Sequence, residues 1–142
     1  MELGNHYRRE LEMLKKELEQ ISDDNLYSTV NGVSNSCGTL AHHLIGNLNH
    51  FIGFHLKGIS YTRNRELEFS DRETNKVELI KRVDDLVSWL PDFLNTIPDS
   101  ELNADYPIEF LGSRRTKGDM IIQMLAHLNY HLGQINYLRR VN

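Results

Sequence analysis

The stretch 127–140, HLNYHLGQINYLRR, decides how this chain is read. Its apolar residues recur every three or four positions through Leu128, Leu132, Ile135 and Leu138, the spacing of a helix with one packed face. Two imidazoles, His127 and His131, stand four residues apart in it, and i and i+4 share a helical face. Buried polar groups without partners cost about 1–3 kcal/mol each. Either both rings find hydrogen-bond partners in a core, or together they hold an ion.

Working backwards, Thr116 and Asp119 have the spacing of a capping box and open this last helix, predicted over 118–140. Three more helical segments precede it. Residues 2–21 place Leu3, Tyr7, Leu11, Leu14 and Leu18 on one face and Arg8, Arg9, Lys15, Lys16 and Glu17 on the other, with SDDN at 22–25 as the stop. The segment 38–57, GTLAHHLIGNLNHFIGFHLK, has few charges and reads as a central helix capped by Asn35 or Ser36. Ser70 with Glu73 matches a second capping box and predicts a helix over 72–96, with Val77, Ile80, Val83, Leu86, Val87, Leu90 and Leu94 as its stripe and a kink or break at Pro91. The links 58–71 and 97–117 are long; the first is expected to cross the molecule, and YPIEFLG at 106–112 to form a short extended piece. The fold class is all-α, a single-domain four-helix bundle over residues 1–142 with a long crossover connection.

With 142 residues, 39% hydrophobic and 25% charged, the composition is that of a globular domain. The net charge of −4 gives no general attraction for nucleic acid or anionic membrane, and Arg114, Arg115 and Lys117 read as a short solvated cluster. One cysteine, Cys37, excludes an intramolecular disulfide and a cysteine-based zinc framework. No apolar run reaches membrane-spanning length and the charged N-terminus is not a signal peptide, so no membrane association is expected and the cytoplasm is the expected compartment.

A third imidazole for the His127/His131 pair has to come from another buried helix. In the second helix His43, Asn47 and His50 share a face, with His42 pointing elsewhere. Three histidines with a fourth position open is the ligand set of a catalytic metal site. Zinc, nickel, iron and cobalt all accept imidazole. From spacing alone, satisfied core histidines and a three-histidine site are equally good readings.

HHLIGNLNHFIG, then YTRNRELEF, then HLNYHLGQINYLRR, in that order, resembles the DinB-like superfamily, which includes bacillithiol-transferase-like proteins and relatives of mycothiol-dependent maleylpyruvate isomerase. The match spans nearly the whole chain. Its most specific motifs are the final H-x-x-x-H-x-G-Q-I and the earlier H-L-x-G-N. The resemblance implies a four-helix bundle with a crossover and a divalent ion held by one histidine of the second helix and two of the fourth. By position these are His43, His127 and His131, with zinc or nickel expected first and iron, manganese or cobalt as alternatives. It further implies a metal-dependent transferase that joins a low-molecular-weight thiol to a small electrophilic substrate, and a homodimer formed by helix packing. The rival readings are a metal-binding bundle without catalysis, acting as a stress-associated or interaction module, and a metal-dependent hydrolase.

Around that site Asn47 is expected to pack and Gln134 to bond a ligand histidine or a neighbouring helix. Gly46, Gly53 and Gly133 are expected to admit close helix approach. Arg63, Arg65, Glu66 and Glu68 read as a salt-bridged surface link or as a cover over the site that meets an anionic group. Trp89, Tyr130 and Tyr137 are expected in the core or an interface.

Overall fold

The computed structural model describes residues 2–142, and among them the fold is all-α. Six α-helices are present among them: α1 (Leu3–Glu19), α2 (Cys37–Leu48), α3 (Arg65–Ser70), α4 (Lys76–Thr96), α5 (Asp99–Leu102) and α6 (Lys117–Val141). The long ones, α1, α2, α4 and α6, make the bundle. α1 lies between α4 and α6, and α2 closes the ring by touching the same two. The links from α1 to α2 and from α4 to α6 therefore cross diagonally. The stretch 58–71, expected to cross the molecule, instead folds back along α2, because its short helix α3 packs there.

The stripe predicted on the first helix is the one buried. Tyr7, Leu11, Leu14 and Leu18 are fully enclosed, and Tyr7 Oη donates to the Ile121 carbonyl at 2.6 Å, tying α1 to α6. One expected surface charge is not on the surface: Glu17 is buried and accepts from Asn136 and Arg139 on α6. Glu10, two turns earlier on the same face, is likewise buried and accepts from Asn129.

Ser36 caps α2 by accepting from Thr39 N, and Thr116 caps α6 by accepting from Asp119 N. The Ser70/Glu73 box does not form. Ser70 closes α3, Asp71 accepts from the amides of Glu73 and Thr74, and α4 begins only at Lys76, capped by Asn75. Val77 accordingly falls outside the buried stripe, at 71% exposed, and Leu79 is its first enclosed member. α4 runs through Pro91 without a break, with Leu90 and Leu94 buried on either side.

Beyond Leu48 the second helix continues as a π-helix, Asn49–Lys57, ending at Gly58 in the left-handed region at φ 81°. In the 97–117 link, the expected extended piece is a narrow ribbon with bridges Asp105–Thr116 and Phe110–Ser113. Buried Tyr106 anchors it by donating to the Phe51 carbonyl at 2.6 Å.

Candidate metal centre

His43 sits in the middle of α2, where every residue from Cys37 to Leu48 is buried. His127 and His131 lie one turn apart on α6, half-buried on the flank of its core stripe rather than within it. α2 and α6 are neighbours, so the three rings converge: centroids are 4.9 Å apart for His43–His127, 5.3 Å for His43–His131 and 4.5 Å for His127–His131. One ring nitrogen from each lies within 4.8 Å of the others, and His43 Nε2 is 3.1 Å from His127 Nε2. Two nitrogens bound about 2.0–2.1 Å from one tetrahedral ion stand about 3.4 Å apart, so the donor set fits a divalent ion.

The opposite edges of two rings are held from outside. Glu68 Oε1 lies 3.1 Å from His43 Nδ1, and Gln134 Oε1 lies 2.6 Å from His131 Nδ1. An ionised carboxylate and an amide oxygen only accept, so each Nδ1 carries its ring's proton and each Nε2 lone pair is left free to face the cluster. His127 has no such support: its Nδ1 is buried without a partner, as is Asn47 Oδ1. Burial first, then the neighbouring imidazoles of His131 and His43, push His127 down to about 4. Burial also lowers His131, against the opposing pull of Gln134. Near neutral pH both rings are therefore uncharged, as ligands must be.

Glu68 is the residue whose place was hardest to foresee. It comes from α3, is 6% exposed, and also accepts from Arg63 Nε at 2.8 Å and Nη2 at 3.0 Å. Burial pushes its carboxyl up, but the hydrogen bonds from His43 and Arg63 outweigh that and leave it below the usual carboxylate range. Gly46 makes the position possible, since a Cβ there would lie 2.0 Å from Glu68 Oε2. The Arg63–Glu68 pair is thus part of the interior, not the surface salt bridge expected of the link. Glu66 is exposed, and exposed Arg65 stands over the Phe69 ring at 5.0 Å, which in turn packs on His43.

The remaining expectations divide. Gln134 does bond a histidine of the cluster. Asn47 is buried, but its Oδ1 lacks the hydrogen-bond partner a packing amide would have. Buried His42 packs on Tyr27, its Nε2 3.0 Å from the hydroxyl, and belongs to the core rather than the cluster. Gly53 faces Trp89 at ordinary contact distance, 3.4 Å for an added Cβ. Gly133 faces open space, so close helix approach within the chain does not account for it. Tyr130 and Tyr137 are not core residues; they are 66% and 68% exposed. Of the basic cluster, Arg114 is solvated, whereas Arg115 and Lys117 are mostly covered and paired with Asp119 and Glu101.

A four-helix bundle with three converged imidazoles on two adjacent helices defines the class: an all-helical protein with a candidate metal centre. The chain belongs to the family described as "Protein of unknown function (DUF1572)", which matches residues 2–141. No curated protein matches it. Among solved structures it is similar to a DinB-like protein from Bacillus cereus ATCC 10987, at 17% identity and a TM-score of 0.73, covering 92% of this chain and 84% of that one. The fold is the DinB-like fold. Among the described residues no helix is long and apolar enough to cross a membrane.

Proposed function

We propose that His43, His127 and His131 hold one divalent ion and that the protein is a metal-dependent thiol S-transferase. The observation that carries the reading is the outer support of the cluster: Glu68 and Gln134 orient two rings so that their free nitrogens converge. Histidine ligands to metals are normally held by such partners, whose loss costs about 10–100-fold in affinity. A divalent ion with an open position supplies Lewis acidity, and a thiol that coordinates it is deprotonated.

The chain's own groups favour thiol transfer over hydrolysis. Water-activated hydrolysis needs a free general base, and the carboxylate in contact with the cluster, Glu68, is already spent on His43 Nδ1 and Arg63. Held below the usual carboxylate range, it stays ionised and paired rather than poised to take a proton near pH 7. A thiolate nucleophile needs no such base. Phe69 and Tyr130, packed against His43 and His131, give the surroundings of the cluster an aromatic lining suited to an apolar electrophile.

The test has two arms. Calorimetry with zinc and nickel near neutral pH is expected to give one ion per chain, lost in His43→Ala and His127→Ala; no binding refutes the centre. The loaded protein is then assayed for conjugation of bacillithiol, glutathione or cysteine to a model electrophile. Metal binding with no rate above the His43→Ala variant refutes the transferase and favours a metal-binding bundle without catalysis.

A further inference from the structure

Buried polar atoms in a folded chain are almost always matched, so those left over call for a reason. Among the described residues, two unmatched side-chain atoms belong to α2 and α6, the helices that carry the cluster: Asn47 Oδ1 and His127 Nδ1. They are complementary. An amide oxygen only accepts, and an imidazole whose Nε2 faces an ion carries its proton on Nδ1 and donates it.

The run of the two helices brings these residues to the same level. Cys37 Sγ, at the start of α2, donates to the Ile135 carbonyl on α6 at 3.6 Å. Six residues further along α2, His43 Nε2 meets His127 Nε2, eight residues back along α6, so the helices are antiparallel. Asn47 follows His43 by one turn on the same face. Side chains on a helix lean towards its N-terminus. On antiparallel helices His127 therefore leans towards the level of Asn47, and Asn47 leans back towards the cluster.

The other two rings show what the third is missing. His43 and His131 are each held at Nδ1 by a side-chain oxygen, from Glu68 and Gln134. Gln123, one turn before His127 on α6, is the rival acceptor for the remaining ring. It is only half-buried, so water can satisfy its amide, whereas Asn47 is 5% exposed and its oxygen has no such outlet.

We infer, resting on the metal reading above, that Asn47 is the positioning residue of His127: with an ion in the cluster, Asn47 Oδ1 accepts the proton on His127 Nδ1. Each ligand ring then has its own outer acceptor, one carboxylate and two neutral amides. Arg63 balances the charge of Glu68, so the supports add no net charge and the ion keeps its full attraction for a thiolate.

Zinc titration of the full chain by calorimetry tests it, with Asn47→Leu, Asn47→Asp and Gln123→Leu beside the wild type. Asn47→Leu puts an apolar side chain of similar size where an unmatched oxygen stood. The metal-free variant is expected to unfold at the wild-type urea midpoint or above it, while its zinc affinity falls about tenfold. A merely structural amide would not move the two in opposite directions. Asn47→Asp keeps the acceptor and is expected to hold at least wild-type affinity, and Gln123→Leu to leave affinity unchanged. In zinc-loaded protein with isotope-labelled histidine, the Nδ1 proton signal of His127 is expected to move upfield in Asn47→Leu while those of His43 and His131 stay in place. Asn47→Ala carries the same affinity and signal expectations if Asn47→Leu does not fold. Wild-type zinc affinity in the Asn47 variants, with all three signals in place, overturns the inference and leaves the metal centre standing. A loss in Gln123→Leu with none in Asn47→Leu assigns the support to Gln123 and overturns it as well. A wild type that binds no zinc overturns the centre and this inference with it.

Discussion

Replacing Gly46 by alanine tests the packing of the candidate centre with a single methyl group. The new Cβ would stand 2.0 Å from Glu68 Oε2 and 2.5 Å from Glu68 Cδ. The carboxylate must move, and it has little room, being buried and bonded to His43 and to Arg63 twice. Overpacking of this kind costs about 1–3 kcal/mol, and a hydrogen bond to a charged group is worth about 1.5–3 kcal/mol. The gain in helix propensity, about 1 kcal/mol, offsets part of this. A net loss of about 2 kcal/mol is expected. Gly53→Ala is the matched control. It lies one stretch on, in the π-helical continuation of the same helix, and its Cβ meets Trp89 at 3.4 Å, ordinary contact, so it is expected to be neutral or slightly stabilising. Urea unfolding of both metal-free variants, compared at equal m-values, measures the difference. Equal stability of Gly46→Ala and the wild type would refute the claim that Gly46 exists to admit Glu68.

Three further outcomes are expected. Gln134→Leu removes the acceptor on His131 Nδ1 at 2.6 Å and should weaken zinc binding about tenfold by calorimetry. Its unfolding midpoint should stay near that of the wild type, because Gln134 is only half-buried. Tyr7→Phe removes the hydroxyl that donates to Ile121 O and should cost about 1 kcal/mol in urea unfolding with the fold intact. Burial pushes the Cys37 thiol up from 9.0 to about 11, so it should react with a thiol reagent at pH 8 only as fast as the chain unfolds. As the unfolded chain loses that proton first, Cys37 should also make stability fall as pH rises from about 9 to about 11, so Cys37→Ala should lose stability less steeply over that range, the raised tyrosine hydroxyls of Tyr7, Tyr27 and Tyr106 keeping part of the slope in both.

α1, α4 and α6 were legible because each sends one stripe into the core, and Tyr7, Leu11, Leu14 and Leu18 show how directly spacing becomes enclosure, while α2 was legible from its lack of charge, which matches its burial on all sides. The caps at Ser36 and Thr116 were legible for the same local reason. The Ser70/Glu73 box misled because cap spacing recurs by chance, and here α3 had already claimed Ser70 while Asn75 capped the real start. His127 and His131 could be paired from sequence, since they share a helix. Joining them to His43 depended on which helices are neighbours, which the family resemblance supplied and local spacing did not. Glu68 was harder still: its role depends on a link folding back on α2 and on a glycine opposite it. No local pattern encodes that encounter.

The anchoring of His43 by α3 has a thermodynamic corollary. The carboxylate that orients the ring belongs to a six-residue helix that packs along α2. Linkage is reciprocal, so an ion that gains tenfold in affinity from a docked Glu68 returns about 1.4 kcal/mol to the docked form of that helix. The amides of residues 65–70 would then exchange with solvent more slowly as the centre fills. A segment on the outside of the bundle would report occupancy of a site it does not itself ligate.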